Sequence, residues 1–208
     1  MNLHMGRSLW NAVKWRMHHA RLPRNASGGM MLHIGCGDVN APGYINIDAR
    51  PLPHVHFVSS DLSNLSFVPE GALSLIYMCH ILEHVPHQQV VRILRQCHSR
   101  LAAGGICRVS VPDFDLILQM YEHTGHDMRA VLGPLMGGQD YRYNFHLGAF
   151  NRGWLTTCFE KAGFVSVEPW TPDTASEHDF VDWSGRTFDY QGVDYPISLN
   201  LQATRASR

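Results

Sequence analysis

The chain has 208 residues, of which 45% are apolar and 17% charged, a composition typical of one folded domain. Its 17 basic and 18 acidic residues give a net charge of −1, which argues against a dedicated nucleic-acid binder. The five cysteines form no C-x-x-C pair, so neither a zinc knuckle nor a disulfide framework is predicted. The sequence has no apolar run of about 18 residues and no secretory leader, and we expect a cytoplasmic protein without integral membrane association.

Residues 1–29 are predicted to form a basic amphipathic helix before the main domain. No acidic residue precedes Asp38, and Pro23 ends the helical pattern. One face of this helix carries apolar side chains at helical spacing, namely Trp10, Val13, Met17 and Ala20. We expect this face to pack on the domain, as a lid over a pocket. Attachment to a membrane surface or organelle targeting is the alternative.

Residues 30–208 alternate short apolar runs with helical patterns, which is typical of an α/β sheet. The pattern predicts strands over 30–34, 44–47, 55–58, 73–79, 106–111, 164–168 and 197–203. It predicts helices over 85–101, 114–123, 128–136 and 151–162. The acidic and aromatic stretch 171–196 is predicted to be an insertion loop, because long loops in compact domains are usually functional or disordered. With Trp170 and Trp183, it is a candidate lid that stacks a sugar or another ring.

A glycine turn with an acidic partner is the most informative feature. The first predicted strand runs directly into Gly35-Cys36-Gly37, and the next strand ends at Asp48. Glycines after a parallel strand let the backbone approach a ligand, and a carboxylate on the neighbouring strand can accept both hydroxyls of a ribose. Because ligands of open α/β sheets bind at the carboxyl ends of the strands, the pair favours an adenosine-containing cofactor.

The glycine spacing distinguishes between cofactors. A dinucleotide fingerprint needs G-x-G-x-x-G, and here Asn40 occupies the third glycine position. Asp38 beside the turn also suits a pyrophosphate poorly. A nicotinamide-dependent oxidoreductase is therefore the lesser alternative, and the absence of G-x-x-x-x-G-K-[ST] argues against a triphosphate site.

In these and later motifs the sequence resembles the class I S-adenosylmethionine-dependent methyltransferases, in particular their small type-11-like group. The motifs occur in order over about residues 30–204: I-G-C-G at 34–37, D at 48, S-D-L at 60–62, H-I-L-E-H-V at 80–85, R-L-A-A-G-G at 100–105 and V-S-V-P-D at 109–113. The resemblance implies a Rossmann-like three-layer sandwich, whose mixed seven-stranded sheet has an antiparallel last strand. It also implies S-adenosylmethionine as the cofactor.

The same resemblance implies cofactor contacts for nine residues after the ends of the strands: Gly35, Cys36, Gly37, Asp48, Ala49, Asp61, Leu62, Cys79 and His80. Asp48 would bind the ribose, Asp61 and Leu62 would flank the adenine, and Cys79 and His80 would lie near the sulfonium. His33 departs from the family pattern, because an acidic residue that helps to hold the ammonium group of the cofactor usually stands there. We include His33 in the expected cofactor site.

The stretch from His80 to His84 matches H-x-x-E-H, a spacing found in zinc proteases. That chemistry needs the motif inside a helix, with a third protein ligand. Here the motif follows an apolar strand directly, and Pro86 disfavours a helix at Val85. We therefore predict no metal site.

Four residues are candidate general bases: His80, His84, Asp113 and His146. Similar small proteins act in saccharide and cell-envelope synthesis, so the predicted activity is methylation of a small molecule or glycan at oxygen, by in-line transfer. The alternative is a catalytically silent protein that binds the methyl donor or a protein partner, which the His33 departure favours.

Overall fold

The structure is a computed structural model that describes residues 3–207 and, in the first helix, the side chains from residue 9 onward. Its five helices are α1 (Leu3–His18), α2 (Val90–Arg100), α3 (Phe114–His123), α4 (Met128–Met136) and α5 (Arg152–Ala162). Its nine strands are β1 (Met30–Ile34), β2 (Tyr44–Asp48), β3 (Phe57–Val58), β4 (Leu73–Cys79), β5 (Leu101–Pro112), β6 (Val165–Pro169), β7 (Thr187–Tyr190), β8 (Val193–Pro196) and β9 (Ser198–Thr204).

Seven strands form one mixed sheet in the order β3-β2-β1-β4-β5-β9-β6. The first five positions of this order are parallel, and β9 runs antiparallel to both β5 and β6. The central strands β1 and β4 are nearly continuous buried apolar runs, as expected for parallel strands with both faces covered. The predicted sheet, with its antiparallel last strand, is confirmed.

One face of the sheet is covered by helices. The apolar stripe of α2 buries Ile93 and Leu94, and that of α5 buries Leu155 and Phe159. The limits of α5 follow from its sequence: Asn151 caps it by accepting a hydrogen bond from the Trp154 N–H at 3.0 Å, and Gly163 ends it with φ +100°. This face is a core of buried apolar side chains, both aliphatic and aromatic.

The opposite face is covered by irregular chain. The connections 35–43 and 49–56 on either side of β2 contain no helix, although parallel strands are usually joined by one. Residues 170–186 cover this face of β2 and β4 instead, and their aromatic side chains pack on Tyr44 and Tyr77. The predicted insertion loop is thus a structural layer of the domain. It also contains an unpredicted hairpin, β7–β8, whose two-residue turn Gln191-Gly192 has positive φ at both positions.

The helix α1 packs differently from the prediction. Trp15 is buried, with its ring stacked 5.6 Å from that of Phe57, and Lys14 donates a hydrogen bond to the His56 carbonyl at 2.6 Å. The predicted apolar face points outward, with Trp10 66% and Met17 71% exposed. No described residue of α1 lines the large cavity, so the structure does not support a lid there, and the helix covers the edge strand β3. None of the described helices is long and apolar enough to cross a membrane.

Candidate functional site

A cavity of about 1150 Å³ opens at the carboxyl ends of β1, β2 and β4. Its floor contains the glycine turn and Asp48, and its walls come from the segments 133–147 and 180–188. Ligand pockets in proteins usually measure roughly 300–1,000 Å³. This cavity is therefore large enough for a cofactor and a second small ligand beside it.

The glycine turn has the geometry that the sequence predicted. Gly35 and Gly37 adopt φ +67° and +56°, values that favour glycine. A Cβ on Gly35 would collide with the Ile81 side chain, so that position must stay bare for packing. A Cβ on Gly37 would touch only the Arg50 guanidinium at 3.4 Å, and its backbone borders the cavity. The turn thus exposes main chain to a ligand.

Asp48 lies at the end of β2 and is 7% exposed. Its Oδ1 accepts hydrogen bonds from the Arg50 backbone N–H at 2.8 Å and from Arg50 Nε at 3.2 Å. Its Oδ2 accepts the Gly37 N–H at 2.8 Å. Because a carboxylate oxygen can accept two hydrogen bonds, Oδ2 keeps one position for a ligand hydroxyl. The protein therefore holds this carboxylate in place and leaves it one free acceptor.

Most of the other expected cofactor residues also line the cavity: Cys36, Ala49, Leu62, Cys79 and His80. Burial raises the pKa of the Cys36 thiol to about 12 and that of Cys79 well above its usual value, so both thiols are neutral. Asp61 is the exception, because its side chain accepts hydrogen bonds from the Ser63 N–H at 3.0 Å and the Ser63 hydroxyl at 2.7 Å. It stabilises a turn and does not line the cavity, so its expected adenine contact is not supported.

His33 lies at the base of the cavity and is buried between aromatic rings. Its ring stacks on Phe180 at 5.9 Å and tilts toward Tyr77 at 5.0 Å. Burial lowers the pKa of His33 to about 4, so the imidazole is neutral near pH 7. Its Nδ1 has no hydrogen-bond partner among the described residues. A buried polar atom left in this state beside a cavity fits a ligand that supplies its partner.

Asp182 is a buried carboxylate between Phe180 and Trp183 in the segment 180–188, and it is not among the residues predicted from the sequence. Asp182 accepts hydrogen bonds from the Tyr77 hydroxyl and the Ser184 hydroxyl, both at 2.5 Å, while His178 Nε2 lies 3.7 Å away. The D-x-S spacing of Asp182 and Ser184 is the turn signal that could have indicated it. Trp170 is also structural, since it is buried and its Nε1–H donates to the Val109 carbonyl at 3.3 Å. Trp183 does line the cavity.

Three of the four candidate bases converge beside Glu83. Backbone N–H groups of Leu147 and Gly148 donate to the Glu83 carbonyl at 2.6 and 3.1 Å, which brings His146 against His84 with ring centroids 4.8 Å apart. Burial lowers the pKa of His80 to about 3 and that of His146 to about 4, and it raises the pKa of Glu83 to about 8. Low solvation is the common cause of these shifts.

Asp113, the fourth candidate base, has a structural role. Its carboxylate accepts the Asp115 N–H at 3.0 Å and caps the N-terminus of α3. It does not line the cavity, so the structure does not support it as a base.

His80, at the end of β4, has φ +52°, which is uncommon for a non-glycine residue. Such backbone strain clusters at functional sites.

These residues fit an adenosyl ligand in three respects: bare backbone at Gly37, a free acceptor position on Asp48, and an unpaired buried nitrogen on His33. Apolar contact for an adenine ring is available from Leu62. The positively charged sulfonium would lie in a cavity whose lining includes the aspartates Asp38, Asp48, Asp140 and Asp182. The donor and acceptor set is therefore compatible with such a ligand.

No protein-family profile and no curated protein matches the chain. Among solved structures, a SAM-dependent methyltransferase of Archaeoglobus fulgidus aligns over 97% of this chain and 96% of its own, at 14% identity and a TM-score of 0.54. One from Methanosarcina mazei aligns over 92% and 98%, at 14% identity and a TM-score of 0.54. One from Thermotoga maritima aligns over 94% and 88%, at 16% identity and a TM-score of 0.52. The chain therefore has the fold of the class I S-adenosylmethionine-dependent methyltransferases.

Proposed function

We propose that this protein is an S-adenosylmethionine-dependent methyltransferase that methylates a hydroxyl group of a small molecule or glycan. The observation that carries the proposal is the pairing of Gly37 and Asp48 in the lining of a cavity of about 1150 Å³. The similar solved structures support it, since these proteins are SAM-dependent methyltransferases. The lack of a third glycine at Asn40 continues to argue against a dinucleotide.

The cofactor half of the cavity lies along the glycine turn. Asp48 would accept a ribose hydroxyl, Leu62 would pack on the adenine, and the Gly37 backbone would border the methionine part. His33 Nδ1 would pair with a polar group of the ligand. When bound, S-adenosylmethionine supplies a methyl group on a sulfonium sulfur, which leaves as a neutral thioether and needs no acid from the protein.

The acceptor half lies on the opposite side, between the segments 133–147 and 180–188. Trp183 and Tyr141 expose ring surface at 42% and 45%, which suits stacking on a sugar or another ring. His84 and His146 lie at the same wall, and both are neutral near pH 7 because burial lowers each pKa. A neutral imidazole can take the proton of an attacking hydroxyl.

Calorimetric titration with S-adenosylhomocysteine tests the cofactor site. We expect one molecule to bind, and Asp48→Ala to weaken binding by about 10- to 150-fold, which corresponds to roughly 1.5–3 kcal/mol for hydrogen bonds to a charged group. Asp61→Ala is the matched control, because that aspartate stabilises a turn outside the cavity. Equal affinity of the Asp48 variant, or a preference for NADH, would contradict the proposal.

A further inference from the structure

Glu83 is a buried carboxylate without a partner. It is 1% exposed, and neither Oε1 nor Oε2 has a hydrogen-bond donor among the residues that the structure describes. An ionised carboxylate in such a position is costly unless a cation or several donors satisfy it. The proposed methyl transfer assigns no role to this side chain, so its environment requires another explanation.

His84 presents a lone pair to this carboxylate. Its Nδ1 lies 3.2 Å from the Phe145 carbonyl, and a carbonyl only accepts, so Nδ1 carries the hydrogen. In the neutral ring, Nε2 is then the acceptor, and it lies 3.8 Å from Glu83 Oε1. This separation is too long for a hydrogen bond, whether or not the Glu83 carboxyl group carries a proton, so neither atom satisfies the other.

His80 repeats this arrangement from the other side. The Ser198 hydroxyl donates its hydrogen to the Trp183 carbonyl at 2.6 Å, so it must accept from His80 Nε2, which lies 2.8 Å away. In the neutral ring, His80 Nδ1 is then the acceptor, and it lies 3.4 Å from Glu83 Oε1. Two imidazole lone pairs thus converge on one carboxylate oxygen, each held in place by an outer hydrogen bond.

His146 brings a further imidazole to Glu83 and His84 from a distant part of the chain. The potential ligand atoms of Glu83, His84 and His146 all lie within 4.8 Å of one another. A positive ion among them would satisfy the buried carboxylate and the facing lone pairs together. A ligating histidine usually donates its other ring N–H to a carbonyl or carboxylate, as His84 does to Phe145.

We propose that Glu83, His84 and His146 bind one divalent transition-metal ion at the acceptor side of the cavity, with His80 directly beside the site. Two imidazoles and one carboxylate are ligands of Zn²⁺ and of its neighbours in the first transition row, whereas Mg²⁺ and Ca²⁺ take oxygen ligands. Three protein ligands leave coordination positions open toward the cavity. An acceptor hydroxyl that occupies one of them would become more acidic, and its proton would pass to His80 Nδ1, since the lone pairs of His84 and His146 would then be bound to the metal. This role rests on the proposed function.

From the sequence we predicted no metal site, because H-x-x-E-H is a metal motif only within a helix. In the structure, Leu82–His84 is a single 3₁₀ turn, and the site does not reproduce the helical protease arrangement. The spacing of His80 to His84 could not reveal the third ligand, since His146 arrives through backbone hydrogen bonds of Leu147 and Gly148 to Glu83. The proposed site therefore depends on tertiary contacts.

Titration of the chelator-treated protein with Co²⁺ tests the site directly, since bound Co²⁺ gives visible d–d absorption bands and needs no methyl-transfer assay. We expect one ion per chain and competition by Zn²⁺. His146→Ala should weaken Co²⁺ binding by about 100-fold, since even loss of an outer partner costs roughly 10- to 100-fold. His87→Ala is the matched control, because that exposed histidine lies three residues after His84 and outside the cavity.

The absence of Co²⁺ bands in the folded wild-type protein, or equal affinity in the His146→Ala and control variants, would overturn the metal site. A Glu83→Gln variant removes the carboxylate itself and tests the same site. If that variant does not fold, the His146→Ala variant still tests the metal site, because His146 is partly exposed. Titration of the metal-free protein with S-adenosylhomocysteine separates the two proposals. Binding of that ligand without Co²⁺ binding overturns only the metal site, and Co²⁺ binding without it overturns the methyltransferase proposal alone.

Discussion

The two faces of the sheet are covered by different kinds of chain, helices on one face and an irregular aromatic segment on the other. The helical face packs mainly apolar side chains of α2 and α5 against the strands. The other face carries the aromatic segment 170–186, with Asp182 and His178 buried in it and the cavity at its edge. Close aliphatic packing stabilises the fold, whereas buried polar groups near a cavity position chemistry. We therefore expect substitutions on the helical face to affect mainly stability, and substitutions on the aromatic face to affect ligand binding as well.

The largest expected effect is on the helical face. Phe159→Ala removes a fully buried ring of α5 that packs edge-on against Phe164, with centroids 5.3 Å apart. We expect the free energy of unfolding to fall by about 3–5 kcal/mol, as for other buried aromatic truncations. Urea denaturation measures this change. S-adenosylhomocysteine affinity of the folded fraction should stay constant, and a large loss of affinity would break the division between the faces.

A smaller loss of stability is expected on the aromatic face. Asp182→Asn weakens hydrogen bonds from the Tyr77 and Ser184 hydroxyls to a charged acceptor. We expect the free energy of unfolding to fall by about 1.5–3 kcal/mol, together with weaker ligand binding, because Asp182 anchors a wall of the cavity. Asp179→Asn on the same segment is exposed and provides the control. A stability loss in Asp182→Asn without any change in affinity would show that this face is structural only.

The same carboxylate predicts how stability depends on pH. Burial alone would raise the pKa of Asp182, but the nearby His178 and the hydrogen bonds from Ser184 and Tyr77 outweigh it and hold the pKa well below its usual value. Because the folded pKa is the lower one, its contribution is present above the unfolded pKa of about 4 and is lost as the pH falls below that. Urea denaturation between about pH 5 and 2.5 should show this loss, and Asp182→Asn should reduce it. Parallel curves for the two proteins would contradict the assignment.

The smallest effect on stability is expected at the mouth of the cavity. Trp183 is 42% exposed, so Trp183→Ala should change the free energy of unfolding by less than about 0.5 kcal/mol. Loss of an aromatic contact worth roughly 0.5–1.5 kcal/mol should raise the KM for a ring-containing acceptor by about 2- to 12-fold. Trp10→Ala, on the exposed face of α1, is the control. An unchanged KM would remove Trp183 from the acceptor site.

The sequence predicted the features that depend on local chemistry. Apolar runs defined the main strands, and Gly35, Gly37 and Asp48 came together as their positions at strand ends required. The sequence did not predict the features that depend on tertiary contacts. The burial of Trp15 in place of Trp10 depends on where β3 lies, because both residues fit an amphipathic helix. The arrival of His146 at Glu83 likewise depends on backbone pairing between distant segments.

The difference between local and tertiary contacts also explains why only one of three predicted site aspartates lines the cavity. Asp48, Asp61 and Asp113 all follow predicted strands, so the sequence pattern treats them alike. In the structure, Asp61 and Asp113 accept hydrogen bonds from residues two positions later, which turns them into local caps. Only Asp48 combines such a bond with one from the glycine turn and borders the cavity. The tertiary contact with the glycine turn, and not the local hydrogen bond, is therefore what separates Asp48 from the two capping aspartates.

A crystal structure grown with S-adenosylhomocysteine would test the central claim most directly. We expect the ribose hydroxyls within hydrogen-bond distance of Asp48, and the sulfur facing the side of the cavity that contains His84 and His146. A ligand bound with its ribose away from Asp48, or a cavity that stays empty at saturating ligand in a folded protein, would contradict it.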